Sequence, residues 1–187
     1  MSEVKPILVG VLGDAGDDFA YSDPAEEPFN MWRDFVRALR LTFDEQEAAI
    51  GRRVEMVERV VDGLPRGDAR NVLQGWQELV DEGCLVVYGP CVSENAVTMR
   101  EHIETVGKVP TISWAGSENF LGQWCFELNN GSLTEEPPVL VNILAQEGVE
   151  RVGVIVGRSL IGQEYLEGFR AACPDEAIDI VAEVSVP

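Results

Sequence analysis

The chain's one histidine, His102, stands between Glu101 and Glu104, the natural place to look for metal or acid–base chemistry. A zinc site wants three or four Cys, His or carboxylate ligands at recognisable spacing, and no such spacing occurs. His102 reads instead as a partly exposed helix residue with acidic neighbours. A hydrolytic triad needs a base beside its nucleophile, and the sequence has no G-x-S-x-G elbow to offer one. The first turn, Gly10-Val11-Leu12-Gly13-Asp14-Ala15-Gly16, is spaced G-x-x-G-x-x-G and not G-x-G-x-x-G as in dinucleotide sites, and no Walker P-loop is present. Paired carboxylates abound, as chance dictates in so acidic a chain, and none is assigned acid or base work. No catalytic residue, metal or cofactor is therefore expected. Cys84, Cys91, Cys125 and Cys173 lack C-x-x-C spacing, and most of them read as buried apolar residues.

What remains is binding without reactive groups. After one apolar run comes Gly89-Pro90-Cys91-Val92-Ser93-Glu94-Asn95, and after the next comes Ser113-Trp114-Ala115-Gly116-Ser117. Each sets small hydroxyl residues and backbone N–H groups ahead of a helix, an arrangement that receives a carboxylate or other anionic end without a basic side chain. Ser93 and Ser117 are the candidate contacts; the alternative is that they only cap their helices. Trp114 and Phe120 could wall such a pocket or belong to the core.

These turns need a scaffold, and the apolar pattern supplies one. Residues 7–12 (ILVGVL) form a continuous apolar run of the kind that parallel sheets bury on both faces. Over residues 30–50, Trp32, Phe35, Val36, Leu39 and Phe43 recur at helical spacing, and Gly51 ends that helix. Residues 53–61 alternate and suit a strand near a sheet edge. Asp68 caps a helix whose stripe is Val72, Leu73, Trp76, Leu79 and Val80. Residues 84–88 are a buried strand. Ser93 is placed to cap the next helix, with Ala96, Met99, Ile103 and Val106 inward and Gly107 as its stop. Residues 110–114 are a fourth strand, and 124–128 an extended link. The polar loop 14–28 and the turn at Asn129, Asn130 and Gly131 punctuate the chain. A helix over 134–146 turns Val139, Leu140, Ile143 and Leu144 inward. A strand at 151–156, a helix over 159–173 and a strand at 177–186 complete the pattern. Alternating strands and helices predict an α/β fold, an open doubly wound parallel sheet with right-handed crossovers. The domain boundary falls at 128/129, giving a complete first lobe (1–128) and part of a second (129–187). So short a second lobe would leave an apolar sheet edge open, so a missing C-terminal portion or a partner is expected.

Composition narrows the partners. The 187 residues, 45% hydrophobic and 25% charged, are ordinary for a globular protein. The net charge of −19 arises from 33 acids against 14 bases, with Lys5 and Lys108 the only lysines. Such a surface repels phosphate backbones, which excludes nucleic acid as a partner. No apolar run approaches the ~20 residues of a membrane span. The N-terminus lacks the layout of a secretory signal, so the chain reads as cytoplasmic or as an exported one whose signal has been removed.

In order along the chain, ILVGVLGDAG, CLVVYGPCVSENA, VPTISWAGS, WCFELNNGSLTEE and RVGVIVGRSLIGQEYLEGFRAA resemble the first half of type I periplasmic solute-binding proteins of the leucine/isoleucine/valine- or amide-binding branch. The resemblance covers nearly the whole chain. It implies a two-lobed receptor that closes by hinge motion on an amino acid or similar small polar or amide ligand and delivers it to an ABC transporter permease. It places the ligand's α-carboxylate and α-amino group on Ser93 and on Ala115, Gly116 and Ser117. Trp114 stands where the family has Pro, and Ile161 before Gly162 where many members carry a ligand-contacting Tyr. Two other readings stand beside it. One is a cytoplasmic ligand-sensing regulator of the amide-binding kind, and the other a nucleotide- or phosphate-handling doubly wound enzyme domain, since fold alone does not fix function.

Overall fold

The computed structural model describes residues 5–14, 20–21, 29–128 and 131–186. Most of the polar loop 14–28 and the Asn129–Asn130 part of the expected turn lie outside the described residues. The chain divides into two compact units, Met1–Ala115 with Phe120–Leu128 and Gly116–Asn119 with Asn129–Pro187.

The first unit is built on β1 (Ile7–Gly13), a short antiparallel pair β2 (Ala20–Tyr21) and β3 (Phe29–Asn30), α1 (Met31–Ile50), β4 (Val54–Val60), α2 (Ala69–Asp81), β5 (Val87–Tyr88), α3 (Ser93–His102), β6 (Thr111–Ser113) and β7 (Cys125–Glu127). Five of the strands form one parallel sheet in the order β4-β1-β5-β6-β7. The continuous apolar run of β1 is explained by its place: it is an inner strand, with Val9, Val11 and Leu12 buried. The alternating β4 is an edge strand, as its pattern predicts. Residues 124–128 do more than link: Cys125, Phe126 and Glu127 pair with Thr111, Ile112 and Ser113 as the fifth strand. Three residues are too few for periodicity to reveal a strand.

Successive side chains of β5 point to opposite faces. Val87 enters the main core with Trp76, Leu79, Met99 and Ile103, so α2 and α3 cover that face. Tyr88 on the other face meets Phe35 and Phe43 of α1, at ring separations of 6.5 and 6.3 Å. At the core's centre the buried Trp76 donates its indole N–H to Thr111 Oγ1 at 2.9 Å. Asp68 caps α2 as expected, accepting from the Arg70 amide at 2.8 Å. The Arg70 side chain, hydrogen-bonded to the same carboxylate, is the largest cause holding the Asp68 pKa down at about 2.

α3 departs from its reading in two ways. The helix widens into a π-turn at Ile103–Gly107, closed by the Lys108 amide on the Ile103 carbonyl. The extra residue in the turn rotates Val106 off the core face, leaving it 67% exposed, although Ala96, Met99 and Ile103 are buried. The left-handed residue that ends the segment is Lys108, φ 52°. Gly107 is needed for a different reason, because a Cβ there would strike the Trp76 ring.

In the second unit, α4 (Glu136–Gln146), β8 (Arg151–Gly157), α5 (Leu160–Ala172) and β9 (Asp179–Val186) surround a small core of Val141, Phe169, Cys173 and Ile178. β8 and β9 pair in parallel. Ser159 caps α5, accepting from the Gly162 amide at 2.9 Å. The inward face of α4 is only partly the expected one: Leu144 packs against this core, but Val139, Leu140 and Ile143 are exposed, whereas Pro137 and Val141 are buried. The helix is apolar on several sides, so spacing alone does not select the buried face. An open apolar groove of about 510 Å³ runs along β8 and α5, lined by Val152, Val154, Tyr165 and Phe169 among others. Ile155, Val181 and Val184 of the two-stranded sheet are also exposed.

Candidate functional site

In this parallel sheet β1 leads to β4 on one side, and the chain then returns to β5 on the other. Strand order reverses between β1 and β5, and a ligand crevice in such sheets opens beyond the carboxyl ends of the strands flanking that point. Those ends are Asp14, which follows β1, and the turn of residues 89–95, which follows β5.

Asp14 is fully buried, and its carboxylate holds the turn. One oxygen accepts from the Cys91 amide at 2.9 Å and the Cys91 thiol at 2.7 Å. The other accepts from the Val92 amide at 3.0 Å and from Asn95 Nδ2 at 2.8 Å. Burial and then the Asp14 charge push the Cys91 thiol well above its usual pKa, which keeps the proton it donates. Asn95, also buried, spends its Oδ1 on the Leu64 amide at 3.0 Å, and the Gly63 amide donates to the Asp14 carbonyl at 2.9 Å. The loop after β4 thereby joins the same network. On the far side, the buried Ser113 hydroxyl at the end of β6 donates to the Pro90 carbonyl at 2.6 Å and accepts from the Ala115 amide at 2.9 Å.

Each residue expected at the site can now be placed. Ser93 is the first residue of α3, whose cap position is Val92, not Ser93; Val92 makes no side-chain cap bond. The carboxylate that meets the amides ahead of this helix comes from Asp14, far away in sequence. Trp114 follows β6, and its ring lies 3.9 Å centroid to centroid from Phe35. Ala115 is buried in the first unit with its amide bonded to Ser113, and Phe120 is part of the core. Gly116, Ser117 and Ile161 belong to the second unit. There the buried Ser117 donates its hydroxyl to Glu164 Oε2 at 2.7 Å, and the Gly116 carbonyl accepts from the Leu133 amide at 2.8 Å. Ile161 lies in the first turn of α5 and is half-buried.

Sequence reasoning missed Asp14, Asn95 and Ser113. The visible signal was weak: a lone carboxylate directly after a fully apolar strand, and a serine ending another.

The groups assembled here bond to one another: the Cys91, Val92 and Asn95 donors are taken up by Asp14, and the Ser113 hydroxyl by Pro90 and Ala115. Among the described residues no cluster of three His, Cys, Asp or Glu side chains could hold a metal ion. His102 lies with Nε2 3.1 Å from Gln77 Oε1 and its ring edge-on to Trp76. No helix of the described residues is long and apolar enough to cross a membrane.

No protein-family model matches the chain, and no curated protein matches it. Solved structures do. A solute-binding protein of an ABC transporter from Rhodopseudomonas palustris, in complex with 3,4-dihydroxybenzoic acid, is 18% identical with a TM-score of 0.73, over 97% of this chain and 47% of that one. A branched-chain amino acid transporter substrate-binding protein from Streptococcus pneumoniae, in complex with isoleucine, is 18% identical with a TM-score of 0.72, over 97% and 50%. A substrate-binding protein from Desulfitobacterium hafniense, in complex with Leu, is 19% identical with a TM-score of 0.70, over 98% and 51%. The chain spans about half the length of these structures. The resemblance read from the five sequence motifs thus meets its structural counterpart: over that span the chain has the α/β fold of the periplasmic solute-binding proteins of ABC transporters.

Proposed function

We propose that this chain is part of the substrate-binding component of an ABC transporter, and that it takes an amino acid or a similarly small polar or amide ligand. In this reading it is a receptor and not an enzyme, works outside the cytoplasm and hands its ligand to a membrane permease. Residues 1–128 are its first ligand-binding lobe, and 129–187 a hinge crossing and the start of a second lobe. The observation that carries the reading is the Ser93 turn, held at the point of strand reversal by Asp14 and Ser113 in a fold shared with solute-binding proteins. A rigid turn of this kind presents donors and acceptors without reorganising, which lowers the entropic cost of binding. Ser93 is the principal proposed contact, with Trp114 and Ala115 beside it in the same unit. Within the second unit, taken by itself, Gly116, Ser117 and Ile161 are the proposed contacts.

The test is calorimetric titration of the intact protein with a panel of amino acids and their amides. A member of the panel binding with micromolar or better affinity supports the reading. Ser93→Ala and Ser117→Ala should each weaken binding about three- to tenfold, the worth of one net hydrogen bond, and Ser117→Ala, which also removes the bond to Glu164, should lower the unfolding midpoint as well. Unchanged affinity in both variants would reduce these serines to structural residues.

A further inference from the structure

The buried carboxylate of Asp14 does more than fill space. Every group that faces it is a donor: two backbone amides, a thiol and a carboxamide nitrogen. A neutral Asn at this position would turn its own NH₂ toward those donors, so the turn is built for an acceptor with two oxygens. Hydrogen bonds to such a group are among the strong ones, and here they fasten a turn to a strand end more than seventy residues away.

The charge has a second effect. The amides of Cys91 and Val92 lie directly ahead of the first turn of α3, where a helix end attracts negative charge, and Asp14 takes up both. The protein has already supplied the anion. We propose that Asp14 is the positioning residue of the candidate site: it fixes the turn that presents Ser93, and its buried negative charge makes that turn select a neutral or cationic ligand group, such as a carboxamide or ammonium, over a carboxylate. The proposal rests on the receptor reading above for its ligand, but not for the structural half. At an effective dielectric constant of about 20, a second negative charge within about 8 Å of Asp14 would be disfavoured by tenfold or more.

The experiment uses the intact protein, Asp14→Asn, and the exchanged pair Asp14→Asn/Asn95→Asp, which returns one carboxylate and one carboxamide to the same network. Amide hydrogen exchange, measured without ligand, tests positioning. Asp14→Asn should lower the protection of Cys91 and Val92 at least tenfold relative to Val11 in β1, and the exchanged pair should recover part of it. Equal protection in wild type and Asp14→Asn overturns the positioning role. Calorimetry with L-leucinamide and L-leucine tests selection. Wild type should favour leucinamide about tenfold or more, and Asp14→Asn should shrink that ratio toward one, a change that loss of fold stability alone would not produce. A wild-type preference for leucine, or a ratio unmoved by Asp14→Asn, overturns the selectivity. Should neither compound bind wild type, the amino acid of the calorimetric panel that does bind is compared with its own amide; if no member of the panel binds, the amino-acid and amide reading of the receptor is refuted, while the exchange comparison still decides whether Asp14 sets the turn. If Asp14→Asn does not fold, the protection of Cys91 and Val92 in the exchanged pair decides the positioning role, and because that pair keeps a carboxylate in the network the wild-type preference between L-leucinamide and L-leucine alone decides the selectivity.

Discussion

Gly89 opens the turn that carries Ser93, and replacing it with alanine tests the geometry on which the whole site depends. Its φ is +106°, a conformation that L side chains rarely adopt. A Cβ added there would fall on the Leu12 carbonyl oxygen, with the Leu12 carbonyl carbon 3.0 Å and Leu12 Cβ 3.3 Å away. Leu12 is fully buried in an inner strand and cannot swing aside as the tip of a flexible side chain can. Two terms therefore add. The positive φ costs roughly 1–2 kcal/mol for a non-glycine residue, and forcing apart a packed strand costs about 1–3 kcal/mol more. Gly83 separates them: it has a similar φ of +95°, but an added Cβ would meet nothing within 4 Å. Gly83→Ala should thus lose about 1–2 kcal/mol and Gly89→Ala roughly 2–5 kcal/mol. Urea denaturation followed by tryptophan fluorescence reads the right unit, because Trp32, Trp76, Trp114 and Trp124 all belong to the first. The midpoint should fall without a change in slope. Equal losses for the two variants, or a loss below about 1 kcal/mol for Gly89→Ala, would refute the close approach of the turn to β1.

Two further variants probe the scaffold. Thr111→Val keeps the shape of the side chain but strands the buried Trp76 indole N–H, and should cost about 1–3 kcal/mol in urea denaturation; an unchanged midpoint would remove that bond from the account of the core. Glu104 accepts backbone N–H bonds from Gln123, Trp124 and Cys125 at 3.1, 2.7 and 3.0 Å. Burial alone would raise its pKa, yet these bonds outweigh it and hold the group below its ordinary 4.5. The stabilisation is present above pH 4.5 and is lost as pH falls through the lowered folded-state value. Glu104→Gln should therefore lower the midpoint at neutral pH and flatten its fall below pH 4.5; parallel acid profiles for the two proteins would show that the carboxylate does not hold this loop.

How much of the fold was legible depended on whether a pattern had one periodicity and one buried side. The run in β1 and the stripe of Val72, Trp76 and Leu79 met that condition, and both are buried where they should be. Glycine ended α1 at Gly51, and Asp68 and Ser159 capped α2 and α5, because these signals act within one turn of the chain. Reading failed where the pattern was uniform or short. α4 offers apolar residues on several faces, so of the four expected inward only Leu144 packs on the core, and the buried Pro137 and Val141 are decided by what packs against them. Val106 followed the α-helical stripe, but the stripe assumes 3.6 residues per turn, and the π-turn breaks it. β7 is three residues long and owes its extended shape to pairing with β6.

The site is a harder case for a physical reason. A serine before a helix is readable because a cap bonds to its own next turn; Asp14 is not, because its donors lie 77, 78 and 81 residues downstream. A buried carboxylate is tolerable only when its acceptors are filled, so its partners had to exist, but no spacing rule names them. Topology does narrow the search, since a parallel sheet brings the ends of β1, β5 and β6 side by side. Polar residues directly after apolar strands then become the ones to watch: Asp14 after β1, Ser113 closing β6, and Asn95 one turn into α3. These bind the turns to one another, and the turn they hold is the one that carries Ser93. It follows that a ligand contact and the residues that aim it need not share a motif, and that substitutions at Asp14 should alter recognition at Ser93 with no change in any residue expected to touch the ligand.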